Sequence, residues 1–273
     1  MRKKASKAVQ GLSLLAVAAL ALTACGGSDN AGGSGGTGSA SGAASDLSLV
    51  QAGTLTVCSD IPYPPFEFEK GGKYTGFDMD LVTDIAAEMG LQVSIKDVGF
   101  DALQSGVTLA AGQCDLAASA MTITEDRKKN LTFSDPYYDS LQSLLVPKGS
   151  NIKAIGDLSG KKVGVQQGTT GESYTRKNAP KDAQVVAFPS DAEMYQAIQA
   201  GQVDALLQDL PVNIGHTKDG KFTVVQEYKT DETYGFAAKK QGSEALISAV
   251  NDALKTLRND GKYKQIYDKY FTE

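Results

Sequence analysis

From about residue 50 the chain alternates two hydrophobic rhythms. Leu55-Thr56-Val57-Cys58 is a short apolar strand. Phe77, Leu81, Ile85 and Met89 recur every four residues with Val82 and Ala86 beside them, the spacing of one helix face. Gly90 follows where a helix C-terminus favours glycine. Leu91 to Ile95 reads as strand, Asp101 to Ala111 as a helix closed by Gly112, and Asp115 to Ala118 as strand. The pattern restarts after Pro147, with a strand at Lys162 to Val165, a helix from about Gly171 and a strand at Val185 to Phe188. Ser190 and Glu193 are spaced as a capping box on a helix carrying Met194 and Ile198 and ending at Gly201. Val203 to Leu207 is the last strand of this series.

Strands alternating with helices predict an α/β fold with mainly parallel sheets covered on both faces. Two helical segments end the chain, one with Leu246, Val250, Ala253, Leu254 and Leu257 on a face, the other with Tyr263, Ile266, Tyr267 and Tyr270 after Gly261. The second αβ series already has its own helices, so these two are expected to return to the first. The expected organisation is two lobes, 47–145 plus 232–273 and 146–231, joined by hinge segments crossing near 144–148 and 229–235.

The N-terminus carries a different signal. Arg2, Lys3, Lys4 and Lys7 precede an apolar run from Leu12 to Leu22, then Leu22-Thr23-Ala24-Cys25. That run is shorter than the ~20 residues of a bilayer-spanning helix and has the charge and small-residue ending of a secretory signal. Its last four residues resemble the bacterial lipobox, so residues 1–24 are expected to be a signal peptide and Cys25 a lipidated first residue. Residues 25–46 are mostly Gly, Ser, Ala and Thr, the composition of a flexible tether to the extracytoplasmic face of the cell membrane. The formal net charge of −5 includes the basic leader, so the remainder is more acidic still, which argues against a nucleic-acid partner.

Enzyme signatures are sparse. His216 is the sole histidine of the sequence, which removes multi-histidine metal sites, and its polar Gly/Lys/Asp-rich surroundings suggest a surface residue. Gly156 to Lys162 reads GDLSGKK, but it precedes a strand where a phosphate-binding loop would precede a helix. No metal or cofactor is expected. Polar residues gather instead at the strand ends of the αβ units, where such sheets bind ligands. Asp60 and Tyr63 follow the first strand; Ser119, Ala120, Thr122 and then Arg127 follow the strand at Asp115. Gln166, Gly168, Thr169 and Thr170 follow Val165, and Gln208 and Asp209 follow Leu207.

Seven blocks resemble the polar amino-acid-binding proteins of ABC importers, of the type II periplasmic-binding-protein fold: YPPFEF (63–68), GFDMDL (76–81), MTITEDR (121–127), FSDPYY (133–138), VGVQQGTTGE (163–172), VDALLQD (203–209) and YGFAAKK (234–240). They run in order over about residues 50 to 273. The resemblance implies that Arg127 takes a ligand α-carboxylate, for which a guanidinium is suited by its two parallel donors. Thr122 and the Thr169–Thr170 turn add donors, and Asp209, helped by Ser119, takes the α-ammonium. Tyr63 and Phe100 match the residues that sandwich the ligand side chain. Asp60, Gln166 and Gln208 match positions that vary with ligand identity. Ala120 stands where some relatives have Ser or Gly, and residues 103–115 are two or three longer than the usual spacing.

The function implied is capture of a polar L-amino acid by a monomeric clamshell, which delivers it to an ABC permease and its ATPase. Asp60 orders the candidates as arginine, lysine, histidine or ornithine, then glutamine. An exported dehydratase-like enzyme on the same fold, with Asp60 or Glu67 as acid–base group, is the alternative, as is a sensing subunit for a membrane receptor. Cys58 and Cys114 flank neighbouring strands and are either bridged or two buried thiols.

Overall fold

The computed structural model describes residues 47–272; the expected signal peptide, Cys25 and the tether lie outside them. In chain order the strands are β1 (Thr54–Ser59), β2 (Phe68–Lys70), β3 (Lys73–Thr75), β4 (Gln92–Asp97), β5 (Leu116–Ala117), β6 (Leu131–Phe133), β7 (Tyr138–Pro147), β8 (Lys162–Gln166), β9 (Gln184–Phe188), β10 (Ala205–Asp209), β11 (Phe222–Tyr234) and β12 (Ala237–Lys239). The α-helices are α1 (Phe77–Glu88), α2 (Phe100–Gln104), α3 (Val107–Ala110), α4 (Thr170–Asn178), α5 (Asp191–Gln199), α6 (Leu210–His216), α7 (Glu244–Asn259) and α8 (Lys262–Phe271).

Two five-stranded sheets organise these elements, in the orders β4-β1-β5-β12-β6 and β11-β7-β10-β8-β9; β2 and β3 form a separate hairpin. In each sheet three strands run parallel, β4-β1-β5 and β10-β8-β9, and two more extend them through antiparallel pairings, so that β12 and β7 alone run against the rest. All six residues of β1 are buried, as expected of a central parallel strand covered on both faces. Leu55, Val57, Phe77, Leu81 and Ile85 share one core with Val250, Leu254, Leu257 and Ile266, so the two terminal helices do return to the first sheet. The second sheet has its own clusters around Val163, Val165 and Leu207 on one side and Met194, Ile198 and Leu206 on the other.

Three sequence expectations change. The helix expected over 101–111 is two short ones, because Gly106 takes a left-handed φ of 83° under the Asn130 carbonyl and Leu131 side chain, where a Cβ would have 3.2 Å to each. The first crossing lies earlier than 144–148: β7 already pairs with β10 at Gln142, and Leu144 and Leu145 belong to the cores of the second sheet. Residues 138–147 and 222–234 are not bare connections but long antiparallel strands, paired from Tyr138–Tyr234 to Pro147–Phe222 with irregularities between Val224 and Gln226 and between Tyr228 and Glu232. Both crossings therefore lie on one ladder, and the chain passes twice through the same narrow waist. Tyr137, Tyr138, Tyr234, Phe236 and Phe66 pack edge-on or stacked at its first-sheet end, with Tyr137 and Phe236 centroids 4.2 Å apart.

Cys58 and Cys114 form a disulfide with a Cα–Cα separation of 5.9 Å. Cys114 lies just ahead of β5 and so reaches β1 despite the parallel register, in a cluster with Leu103, Leu109 and Met121. The bridge closes a long loop, so the expected effect is chiefly on the unfolded chain. The double variant Cys58→Ser/Cys114→Ser should unfold with about 2–4 kcal/mol less stability in urea titrations under non-reducing conditions, and loss of no more than experimental error would show that the bridge does not form.

Candidate ligand-binding site

Residues at and just beyond the C-terminal ends of β1, β5, β8 and β10 come together in one place, as strand ends in parallel αβ sheets do around a ligand. Between them is a narrow cleft with about 10 Å³ of open space, lined by Asp60, Tyr63, Phe100, Ser119, Ala120, Thr122, Arg127, Gln166, Thr169, Thr170 and Asp209. Eleven of the twelve residues singled out in the sequence thus meet in one place. The exception is Gln208, whose Nε2 donates instead to Asp191 (2.8 Å) and Asn213 (3.1 Å) beneath the second sheet. The period of two along β10 explains this: Asp209 faces the cleft, so its neighbour Gln208 faces the opposite side.

Arg127 is the cation of the site. It opens a short 3₁₀ turn and is buried, with its guanidinium 5.1 Å above the Phe100 ring. Nη1 donates to the Thr122 carbonyl at 2.8 Å and Nη2 to the Gly168 carbonyl at 3.0 Å, so one head group holds backbone from both sheets. Burial lowers its pKa to about 10, which leaves it fully charged at neutral pH. Asp209 answers from the second sheet. Its Oδ2 accepts from the Tyr63 hydroxyl (2.9 Å) and its Oδ1 from Gln142 Nε2 (2.6 Å). Burial, and then the nearby Glu232 carboxylate, push its pKa up to about 6.

Asp60 accepts from Gln166 Nε2 at 2.5 Å, a further bond between the sheets, and burial again raises its pKa to about 6. Other predicted donors are already engaged. The Ser119 hydroxyl donates to Glu67 (2.7 Å) and accepts from the Asp60 N–H (3.0 Å). The Thr169 hydroxyl caps α4, accepting from the Glu172 N–H at 3.0 Å and donating to the Gln166 carbonyl. Thr170 opens that helix, so its N–H is one of the groups without an intrahelical partner. Ala120 takes a left-handed φ of 43°, which is why glycine suits this position, and its N–H is held by Asp78 Oδ2 at 2.8 Å.

Sequence reasoning missed Gln142 and Glu232, which border the site from β7 and β11 and bond to each other at 3.1 Å. They stand on the antiparallel crossing strands, away from the parallel strand ends where the other polar residues gather; their signal in the sequence is two polar residues at or near the expected hinges. Glu67 and Asp78 are buried behind the pocket, and burial pushes both pKa values up, that of Asp78 to about 7. His216 is not a surface residue: it stacks on Tyr195 at 3.8 Å and its Nε2 lies 2.8 Å from Asp191.

A cleft between two αβ sheets, with a cation and a carboxylate on its lining, has the form of a solute-binding site. The chain belongs to the bacterial extracellular solute-binding proteins, family 3, whose pattern matches residues 55–273. It is 38% identical over 207 residues to the ABC transporter glutamine-binding protein GlnH of Bacillus subtilis, covering 74% of each chain. An ancestral arginine-binding protein solved with arginine superposes with a TM-score of 0.76 at 40% identity, over 80% of this chain and 98% of that one. An ancestral amino acid-binding protein, a precursor of cyclohexadienyl dehydratase, superposes with a TM-score of 0.75 at 39% identity, over 81% and 96%. These neighbours carry the type II periplasmic-binding-protein fold that the sequence blocks suggest.

The raised pKa of Asp209 has a thermodynamic consequence. A carboxyl that titrates near 6 when folded and near 3.8 when unfolded costs nothing below about pH 4, and its penalty grows until about pH 6 and persists above it. Asp209→Asn should therefore stabilise the protein at pH 8 by about 1–3 kcal/mol in the absence of added solute and leave it unchanged at pH 4. Melting curves at the two pH values check this; an equal effect at both would remove the electrostatic cause.

Proposed function

We propose that the chain is a lipid-anchored, monomeric binding protein that captures a polar L-amino acid outside the cytoplasmic membrane and passes it to an ABC permease and its ATPase. The observation that carries the reading is the pairing of Arg127 from one side of the pocket with Asp209 from the other. A zwitterionic head group satisfies both: its carboxylate can take parallel donors from the guanidinium, and its ammonium can neutralise a carboxylate that burial disfavours. Such a ligand bridges the two sheets and so favours closure of the clamshell. The lipobox at residues 22–25 supports the anchor, and membership of an extracellular family supports the location.

The charges at the site favour a cationic side chain. Asp60 and Asp209 line the pocket and Glu232 borders it, against the single cation Arg127. Arginine, lysine, histidine or ornithine would restore the balance; glutamine follows, and two of the relatives named above are a glutamine-binding and an arginine-binding protein. Capture without turnover is the better reading of the carboxylates. Asp60 is tied to Gln166, Asp209 to Tyr63 and Gln142, and Glu67 lies behind Ser119 outside the lining, so no acid–base group stands free beside the ligand.

A thermal-shift screen against the proteinogenic amino acids and ornithine tests the reading, since a ligand at 100 times its Kd stabilises by about 2.7 kcal/mol. Cationic amino acids should give the largest shifts, and no shift with any amino acid would refute the proposal. Arg127→Ala should weaken binding at least about a hundredfold in calorimetry, because a buried charge-assisted pair is lost; affinity kept within a few-fold would remove Arg127 from the carboxylate site.

A further inference from the structure

The crossing strand β11 carries a charge that the ligand-facing residues do not account for. Glu232 follows Asp231, a non-glycine residue with a left-handed φ of 53°, and both lie at the irregularity where the β7–β11 pairing jumps from Tyr228 to Glu232. A left-handed aspartate within a strand is a strained choice, and such strain persists where the surrounding structure requires it. Here the bulge sets the orientation of Glu232. Its Oε2 accepts from the Thr122 hydroxyl at 3.1 Å, the Thr170 hydroxyl at 2.9 Å and Gln142 Nε2 at 3.1 Å. Thr122 follows β5 of the first sheet, Thr170 opens α4 beside the second, and Gln142 lies on the crossing strand between them. The two threonine hydroxyls also lie 3.4 Å from each other. One carboxylate oxygen thus gathers a hydroxyl from each side of the cleft at its hinge.

We propose that Glu232 is a positioning residue that latches the closed cleft: its carboxylate is the shared acceptor that both sides reach only when they meet. Because Glu232 borders the pocket and its Oε2 is bonded to the hydroxyls of Thr122 and Thr170 on its two sides, it acts chiefly on the lifetime of closure and only secondarily, through its charge, on ligand choice. Closure that must break two charge-assisted hydroxyl bonds opens more slowly, and in binding proteins of this kind opening precedes release. The inference concerns how the cleft closes; its link to release rests on the amino-acid reading above.

Stopped-flow release and small-angle scattering on the full chain test it, with L-arginine and L-glutamine as ligands. Glu232→Ala should raise the dissociation rate about tenfold or more while leaving the association rate within about twofold, and should shift scattering toward the open radius in whichever state the wild type is closed. Glu232→Gln keeps an acceptor oxygen and should restore most of the slow release. An unchanged release rate and unchanged scattering in Glu232→Ala overturn the latch. So does a Glu232→Gln variant as fast as Glu232→Ala with an equally lowered melting point, which would mark a merely structural role. A wild type that binds no amino acid refutes the proposed function instead; the latch is then decided by scattering alone, standing if Glu232→Ala opens a closed wild type and falling if the wild type is open or the variant is unchanged.

Discussion

Burying a guanidinium and a carboxylate on opposite walls of one cleft is the constraint around which this molecule is arranged. Neither charge is stable in a dry interior by itself. Arg127 is held by two backbone carbonyls and the face of Phe100, Asp209 by a tyrosine hydroxyl and a glutamine amide, and even so burial shifts both pKa values against the charged forms. Residual electrostatic cost of this kind can be turned to function. A site that is uncomfortable until a complementary molecule arrives binds that molecule strongly, because the ligand supplies what the protein lacks.

Two sheets meeting at a waist make that arrangement possible without a rigid cavity. Each lobe brings its polar residues to the ends of parallel strands and has apolar clusters of its own, with Val212 of the second lobe also packed into the first core. Among the described residues the continuous ladder between them is β7 with β11. Two irregularities interrupt it, and the second places a carboxylate where hydroxyls from both sides converge. Irregular pairing at such a place costs ladder hydrogen bonds, yet it re-aims side chains, which is the recurrent use of bulges beside functional sites. The hinge is therefore part of the binding apparatus and not a passive connector.

Glu67 and Asp78 show a second layer of the same logic. Asp78 holds the N–H of left-handed Ala120, and Glu67 receives the Ser119 hydroxyl, so two buried acids grip consecutive residues of the wall. Tyr137 adds a hydrogen bond to Asp78 from the aromatic cluster at the waist, at 2.6 Å. The wall that would meet a ligand is thus fixed by groups that never reach it.

The sequence by itself determined the periodic elements and which polar residues stand at their ends. The helix at Phe77, the strands at Leu55 and Val165, the return of the two terminal helices and eleven residues of the pocket were all legible, because hydrophobic period and strand-end position are local properties. Tertiary structure decided what depends on partners distant in the chain. Gly106 breaks a helix because Asn130 and Leu131 lie over it, and Cys58 meets Cys114 where the chain bends at Asp115 ahead of β5. Gln208 turns away from the pocket because its neighbour Asp209 turns in. Gln142 and Glu232 enter the site from strands whose sequence reads as plain connection, since only the antiparallel ladder between them brings their side chains to the back of the cleft.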